Sequence, residues 1–203
     1  MLLFFIYLLI LISLQYFPIR YDVAFLVTKE SDIQNLYYKL AFFTHVYTSW
    51  AVILLGFFQF SRYLRTHFHN VHQSLGKAYI LILLILSAPS GLVMSLFANG
   101  GWISRISFII LSIFWIYFTY LAYDSARKKN WKKHREYMIR SYALTLSAVS
   151  LRLFKYIIAN TLELPPMDIY RIVSWLGWVL NLIMAEIYIY EKNIASIFKS
   201  HFK

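Results

Sequence analysis

Apolar residues in this chain come in blocks, and each block has the length of a membrane crossing. Six stretches, at about 1–17, 41–60, 78–98, 103–123, 137–159 and 169–190, are dominated by Leu, Ile, Phe, Val, Trp and Tyr. Roughly 20 such residues cross a hydrocarbon core as an α-helix, and a helix satisfies its own backbone polar groups in lipid. Of the whole chain 60% is hydrophobic and 14% charged, against roughly one half and one quarter in an ordinary globular domain. A soluble fold with so little polar surface is excluded. The expectation is an all-α membrane protein, a six-helix transmembrane bundle forming a single domain over residues 1–203.

The first block, MLLFFIYLLILISLQYF, has no positive n-region and no small-residue cleavage site after it. It therefore reads as a retained first helix, not a signal peptide. Residues 18–40 are mixed and polar and read as an ordered external loop or short surface helix. Ser87-Ala88-Pro89-Ser90-Gly91 should kink the third block, and Asn99-Gly100-Gly101 reads as a tight turn. The fifth block has no Pro or Gly and reads as one uninterrupted helix. Pro165-Pro166 breaks the chain before the sixth, and the basic tail EKNIASIFKSHFK follows it.

The net charge of +11 is explained by where the cations sit. Arg62, Arg65, Lys77, the seven from Arg127 to Arg140, and Lys192, Lys199 and Lys203 fall on one side of a six-span topology. Arg20, Lys29, Lys39, Arg105, Arg152, Lys155 and Arg171 fall on the other, with five of the nine acids. Thirteen against seven is a positive-inside signature. It puts both termini in the cytoplasm of a cell whose inner membrane the protein spans. Attraction to anionic lipid follows as a by-product, and a nucleic-acid role is not needed. The absence of cysteine removes disulfides, thiolate nucleophiles, Cys-bound zinc and iron–sulfur clusters. No HExxH, P-loop or GxSxG is present, so a hydrolase or an ATP-driven pump has no support.

Two polar lines cross this oily background. His134, Met138, Ser141, Thr145, Ala148 and Arg152 share one face at helical spacing, and His45, Ser49, Gly56 and Gln59 share another. The remaining faces are too apolar for water, so both lines should face other helices and wall an internal site. His72 and His134 sit at the cytoplasmic mouths of two helices that run in the same direction. Two neutral imidazoles at matching depth are what an axially ligated haem b requires. Met138, one turn after His134, is an alternative ligand. Lys77, Arg135 and Arg140 are cations for its propionates. The plainer reading is that these histidines bond headgroups or loop carbonyls at the interface. His67, His69 and His72 form an HxHxxH pattern open to zinc or copper.

Arg152 lies inside a span, where a cation is costly and marks a functional site. With His45, expected about one turn below the external surface, it borders a place for a quinone head, an anionic lipid or a small acid. The plainer alternative is that Arg152 snorkels outward. Glu186 is expected to pair with Arg140 or to relay protons.

Two blocks resemble a known family. GFFQFSRYLRTHFHNVHQSLGKAY at 56–79 and HREYMIRSYALTLSAVSLRL at 134–153 are similar to the motifs of domain-of-unknown-function family 2306, predicted bacterial multi-pass membrane proteins. The resemblance covers roughly 42–190 and marks His45, Gln59, Arg62, His72, Gly76, Tyr79, His134, Met138, Arg140, Ser141 and Arg152. Gln73 and Lys77 depart from it, standing where its pattern often has Arg. The family implies no chemistry. The His-x-x-x-Gly helix opening also looks like cytochrome b561 and ferric-reductase membrane domains, at the level of fold analogy.

Three functions stay open. The first is a membrane oxidoreductase with haem b, or a metal, that passes electrons between quinol and another membrane redox protein. The second is a transporter or lipid-binding protein whose polar cavity holds no cofactor. The third is an assembly factor whose polar lines are packing surfaces.

Overall fold

The computed structural model describes residues 2–201, with side chains from Leu3 to Ala195, and is helical with no strand among them. Lys199, His201 and Lys203 of the basic tail lie outside the described side chains. Eight helices follow in order: α1 Leu2–Leu14, α2 Leu36–Gln59, α3 Arg62–His67, α4 His69–Leu96, α5 Trp102–Arg127, α6 Trp131–Thr145, α7 Ser147–Thr161 and α8 Pro166–His201. Four of them, α2, α4, α5 and α8, are long and apolar enough to cross a membrane, and α6 with α7 makes a fifth if the bent pair is one span. The helix α1 has 13 residues, about 20 Å of rise, which is less than a full hydrocarbon core.

Helix starts follow local chemistry more than the onset of apolar sequence. The helix α2 begins five residues before Ala41 because the Asn35 side chain accepts from Tyr37 N at 2.9 Å and Tyr38 N at 3.4 Å. That is the N-cap arrangement that satisfies otherwise unpaired amides. Asn130 caps α6 in the same way through Lys133 N at 3.2 Å. Pro166 opens α8 at its first turn, where the missing N–H costs nothing. Gly100 and Gly101 have φ of 85° and 69°, so the expected turn before α5 is built on two left-handed residues.

The chain divides into two compact units at the Ile116–Tyr117 step, inside α5. In the first unit, residues 18–35 are ordered as expected, with short 3₁₀ turns at Ala24–Lys29 and Asp32–Gln34. Tyr16, Leu26, Ile33, Tyr38, Phe42 and Phe43 form one buried cluster there. Lys29 is also buried, bonded to Asp32 at 2.7 Å and to the Phe97 carbonyl at the end of α4. In the second unit, α8 packs along α6 and α7, and Gly177 permits the closest approach. A Cβ at Gly177 would lie 3.0 Å from Leu151 Cβ and 3.1 Å from its Cα.

The third and fifth blocks carry the irregularities, and the fifth departs from the uninterrupted helix expected of it. The Pro- and Gly-bearing third block stays one helix, His69–Leu96, and absorbs its irregularity in a π turn at Leu83–Ser87. The physical reason is Pro89, whose ring crowds the carbonyl four residues back, at Ile85, inside that wider turn. The fifth block has neither breaker, yet it bends by 41° between α6 and α7. At the break Leu146 N bonds to Tyr142 O, then Val149 N and Ser150 N both turn back to Leu146 O. Thr145 Oγ1 donates to Ser141 O at 3.0 Å, the back-bonding that bends helices.

Candidate functional site

In the first unit the polar residues gather around His45. This side chain is nine residues after Leu36, so about two and a half turns into α2. Its Nδ1 lies 2.8 Å from Ser87 O, at the end of the π turn in α4. A carbonyl only accepts, so Nδ1 carries a proton and donates it. The ring occupies the space over Gly91, where a Cβ would meet His45 Cε1 at 3.0 Å and Nδ1 at 3.2 Å. Ser112 Oγ lies 3.8 Å from the same point.

Thr48 adds a hydroxyl to this centre. Its Oγ1 donates to Thr44 O at 2.7 Å, which spends its proton, so Ser87 Oγ donates to it at 2.7 Å. Ser90 Oγ donates to Leu86 O and Ser87 O at 2.6 and 3.0 Å. Thr48, one residue before Ser49 of the predicted line, is therefore the hydroxyl that faces α4; Ser49 Oγ bonds back to His45 O at 2.6 Å. Further along α2, Gln59 lies across Gly76 of α4, its Oε1 at 2.9 Å from where a Cβ would be. Gln59 is 9% exposed, and its Nε2 has no hydrogen-bond partner among the described residues.

The three histidines of the HxHxxH pattern have different local partners. His67 is exposed, bonded through Nδ1 to Thr66 Oγ1 at 2.8 Å and stacked on Tyr63 at 4.7 Å. His69 is exposed and its Nε2 accepts from the Gln73 carboxamide at 2.8 Å. His72, the fourth residue of α4, is half-buried on the face that carries Gly76 and fully buried Tyr79. Among the described residues no three His, Cys, Asp or Glu side chains gather as a metal site.

In the second unit the first part of the predicted line does turn inward. His134, the fourth residue of α6, bonds through Nδ1 to Ala122 O of α5 at 2.8 Å, so its Nδ1 also carries a proton. Met138 is buried at 6% exposure, and Ser141 Oγ pairs with Thr119 Oγ1 of α5 at 2.7 Å with both side chains at zero exposure. The line ends at the break. Arg152 is on α7, exposed, with Nη1 donating to Ala148 O of its own helix at 2.7 Å, so it does not close a straight wall begun by His134.

Arg140 takes the expected partner. Its Nε and Nη2 reach Glu186 Oε1 and Oε2 at 2.5 and 2.8 Å, a two-point pair. The guanidinium also lies over Phe118 at 5.8 Å and Tyr137 at 5.5 Å. Asn181 of α8 spans the break itself. Its Nδ2 donates to Ala143 O on α6 at 3.1 Å, and its Oδ1 accepts from Ser150 Oγ on α7 at 2.9 Å. Sequence reading passed over Asn181, although one carboxamide in the run GWVLNLIMAE was a legible signal.

Span-length apolar helices with buried polar side chains bonded between them define an integral membrane protein. Within that class, the family model described as "Predicted membrane protein (DUF2306)" matches residues 42–189, and the chain belongs to this family. His45, Gln59, His72, His134, Arg140, Asn181 and Glu186 fall inside the matched stretch, while α1 and the 3₁₀ turns precede it. No curated protein and no solved structure matches the chain.

Proposed function

We propose that this protein is a membrane redox protein that holds a b-type haem on imidazole ligands and exchanges electrons with quinol. The observation that supports it is the common setting of His45 and His134. Each donates Nδ1–H to a backbone carbonyl at 2.8 Å. Such a bond orients the ring and raises the basicity of the other ring nitrogen, which at His134 is the one proposed to take the haem iron. His72 and His134 are the ligands the sequence nominates, and buried Met138 is the alternative to either. Lys77 and Arg135 supply charge for the propionates, while Arg140 is engaged by Glu186. His45, its Nδ1 held by Ser87 O, is the hydrogen-bonding group proposed for the quinone head. When bound, the haem supplies one-electron chemistry at a potential set by its axial ligands and their surroundings. In this reading α1 counts as the first of six spans, and the Lys and Arg asymmetry places both termini in the cytoplasm of an inner-membrane protein.

A second reading has its own support. The break between α6 and α7, bridged by Asn181, is the kind of irregular backbone that membranes tolerate where it is buried or lines a cavity. That favours a cofactor-free transporter. Visible spectra and haem content of the detergent-purified protein from haem-replete cells separate the two. The redox reading expects a Soret band, sharp bands after dithionite, and loss of both in His134→Ala and His72→Ala. A colourless protein from such cells would sink it. Uptake that fails in Asn181→Leu would then establish the alternative.

A further inference from the structure

We propose that the corner made by α3 and the first turn of α4 binds the phosphate of an anionic phospholipid headgroup. Connectivity sets its depth. The helices α2 and α4 are both long and apolar enough to cross the membrane, and only residues 60–68 join them. The joint must therefore lie at a membrane face, at the level of the lipid phosphates.

Its charge is unopposed. Arg62 and Arg65 are both exposed, and neither takes part in an ion pair among the described residues. No Asp or Glu occurs between Asp32 and Asp124. The other basic stretch differs, since Lys128 is paired with Asp124 at 2.7 Å and Glu136 stands among its cations. Arg62 and Arg65, three residues apart, share one side of α3. Arginine's planar fork matches phosphate oxygens two at a time.

Apolar groups surround the charges in the pattern of an interfacial segment. Phe60, Tyr63, Phe68 and Val71 are 43%, 62%, 47% and 44% exposed. Aromatic rings at headgroup depth beside Arg are what a lipid interface selects, and a site for free phosphate would not need them. The backbone is set for the task. Ser61 Oγ accepts from Leu64 N at 3.3 Å and starts α3. His67 stacks on Tyr63, and residues 67–71 line a shallow concavity of about 440 Å³.

The test is a titration of the full-length, detergent-purified protein with fluorescent short-chain phosphatidylglycerol and phosphatidylcholine. Preference for phosphatidylglycerol is expected, falling about 30-fold in Arg62→Gln/Arg65→Gln if each cation contributes its usual share at a lipid surface. Arg62→Lys/Arg65→Lys should fall between the two, because charge remains and the fork is lost. Lys132→Gln/Lys133→Gln should bind as the parent does. An equal fall in that control would overturn the site in favour of diffuse surface charge. Displacement of the lipid by millimolar inorganic phosphate, with Tyr63→Ser unaffected, would overturn it in favour of a free-anion site. An unchanged preference in both arginine double variants would end the proposal outright.

Discussion

The two irregular spans, α4 and the α6–α7 pair, are made from opposite sequences and solve the same problem. In α4, Pro89 and Gly91 stand together, yet the helix is continuous and widens into a π turn. In α6–α7 there is no Pro or Gly, yet the axis turns by 41°. At each irregularity a side chain from a neighbouring helix takes a main-chain carbonyl, His45 on Ser87 O and Asn181 on Ala143 O. In lipid an unmet carbonyl has no water to turn to, so the partner helix decides whether a distortion is tolerated. Local breakers alone do not.

The glycines sharpen the contrast. Gly177 faces the backbone of Leu151, whereas Gly91 faces side chains, the His45 ring and, further off, Ser112 Oγ. A methyl at Gly177 therefore cannot be accommodated without moving α7 from α8. Gly177→Ala should cost about 3 kcal/mol, at the upper end of overpacking, read as unfolding of the purified protein in bicelles. Asn181→Leu removes both bonds across the break at similar volume and should cost about 1.5 kcal/mol, near the top of the range for buried hydrogen bonds in membranes. If it costs nothing, the carboxamide does not hold the break. Gly91→Ala should cost about 1 kcal/mol, because a ring can shift where a backbone cannot. It should also displace the His45 resonance, which Gly177→Ala should leave in place.

The smallest effect belongs outside the spans. The Arg20 side chain bonds Asp22 and, with Asp22's own backbone contact, holds that carboxyl below its usual range. A lowered carboxylate pKa stabilises the fold above the unfolded-state value and is lost as pH falls through the folded-state one. Melting curves should show Asp22→Asn slightly less stable than the parent near neutrality, with the difference vanishing as pH falls through and below the carboxylate range. Both side chains are well exposed, so the effect stays small.

Much of the fold was legible because spans are a matter of length and composition. The blocks at 41–60, 103–123 and 169–190 map onto α2, α5 and α8, and the turn at Gly100-Gly101 was readable from its residues alone. The earlier start of α2 depends on an asparagine cap outside the apolar block. The inward face of His134, Met138 and Ser141 followed from helical periodicity. Its end at Thr145 did not, because the bend depends on Asn181, 36 residues beyond Thr145. The ring tautomers had no sequence signal at all. They follow only from which atom of a distant helix lies beside Nδ1.

The tautomers are also the most direct point of attack. We would label the histidines with nitrogen-15 and record spectra of the cofactor-free protein at neutral pH, assigning His45 and His134 by His45→Gln and His134→Gln. The account predicts a proton on Nδ1 at both positions, donated to Ser87 O and Ala122 O. A ring protonated at Nε2 alone, at either position, would contradict the carbonyl bonds and the ligand capacity inferred from them.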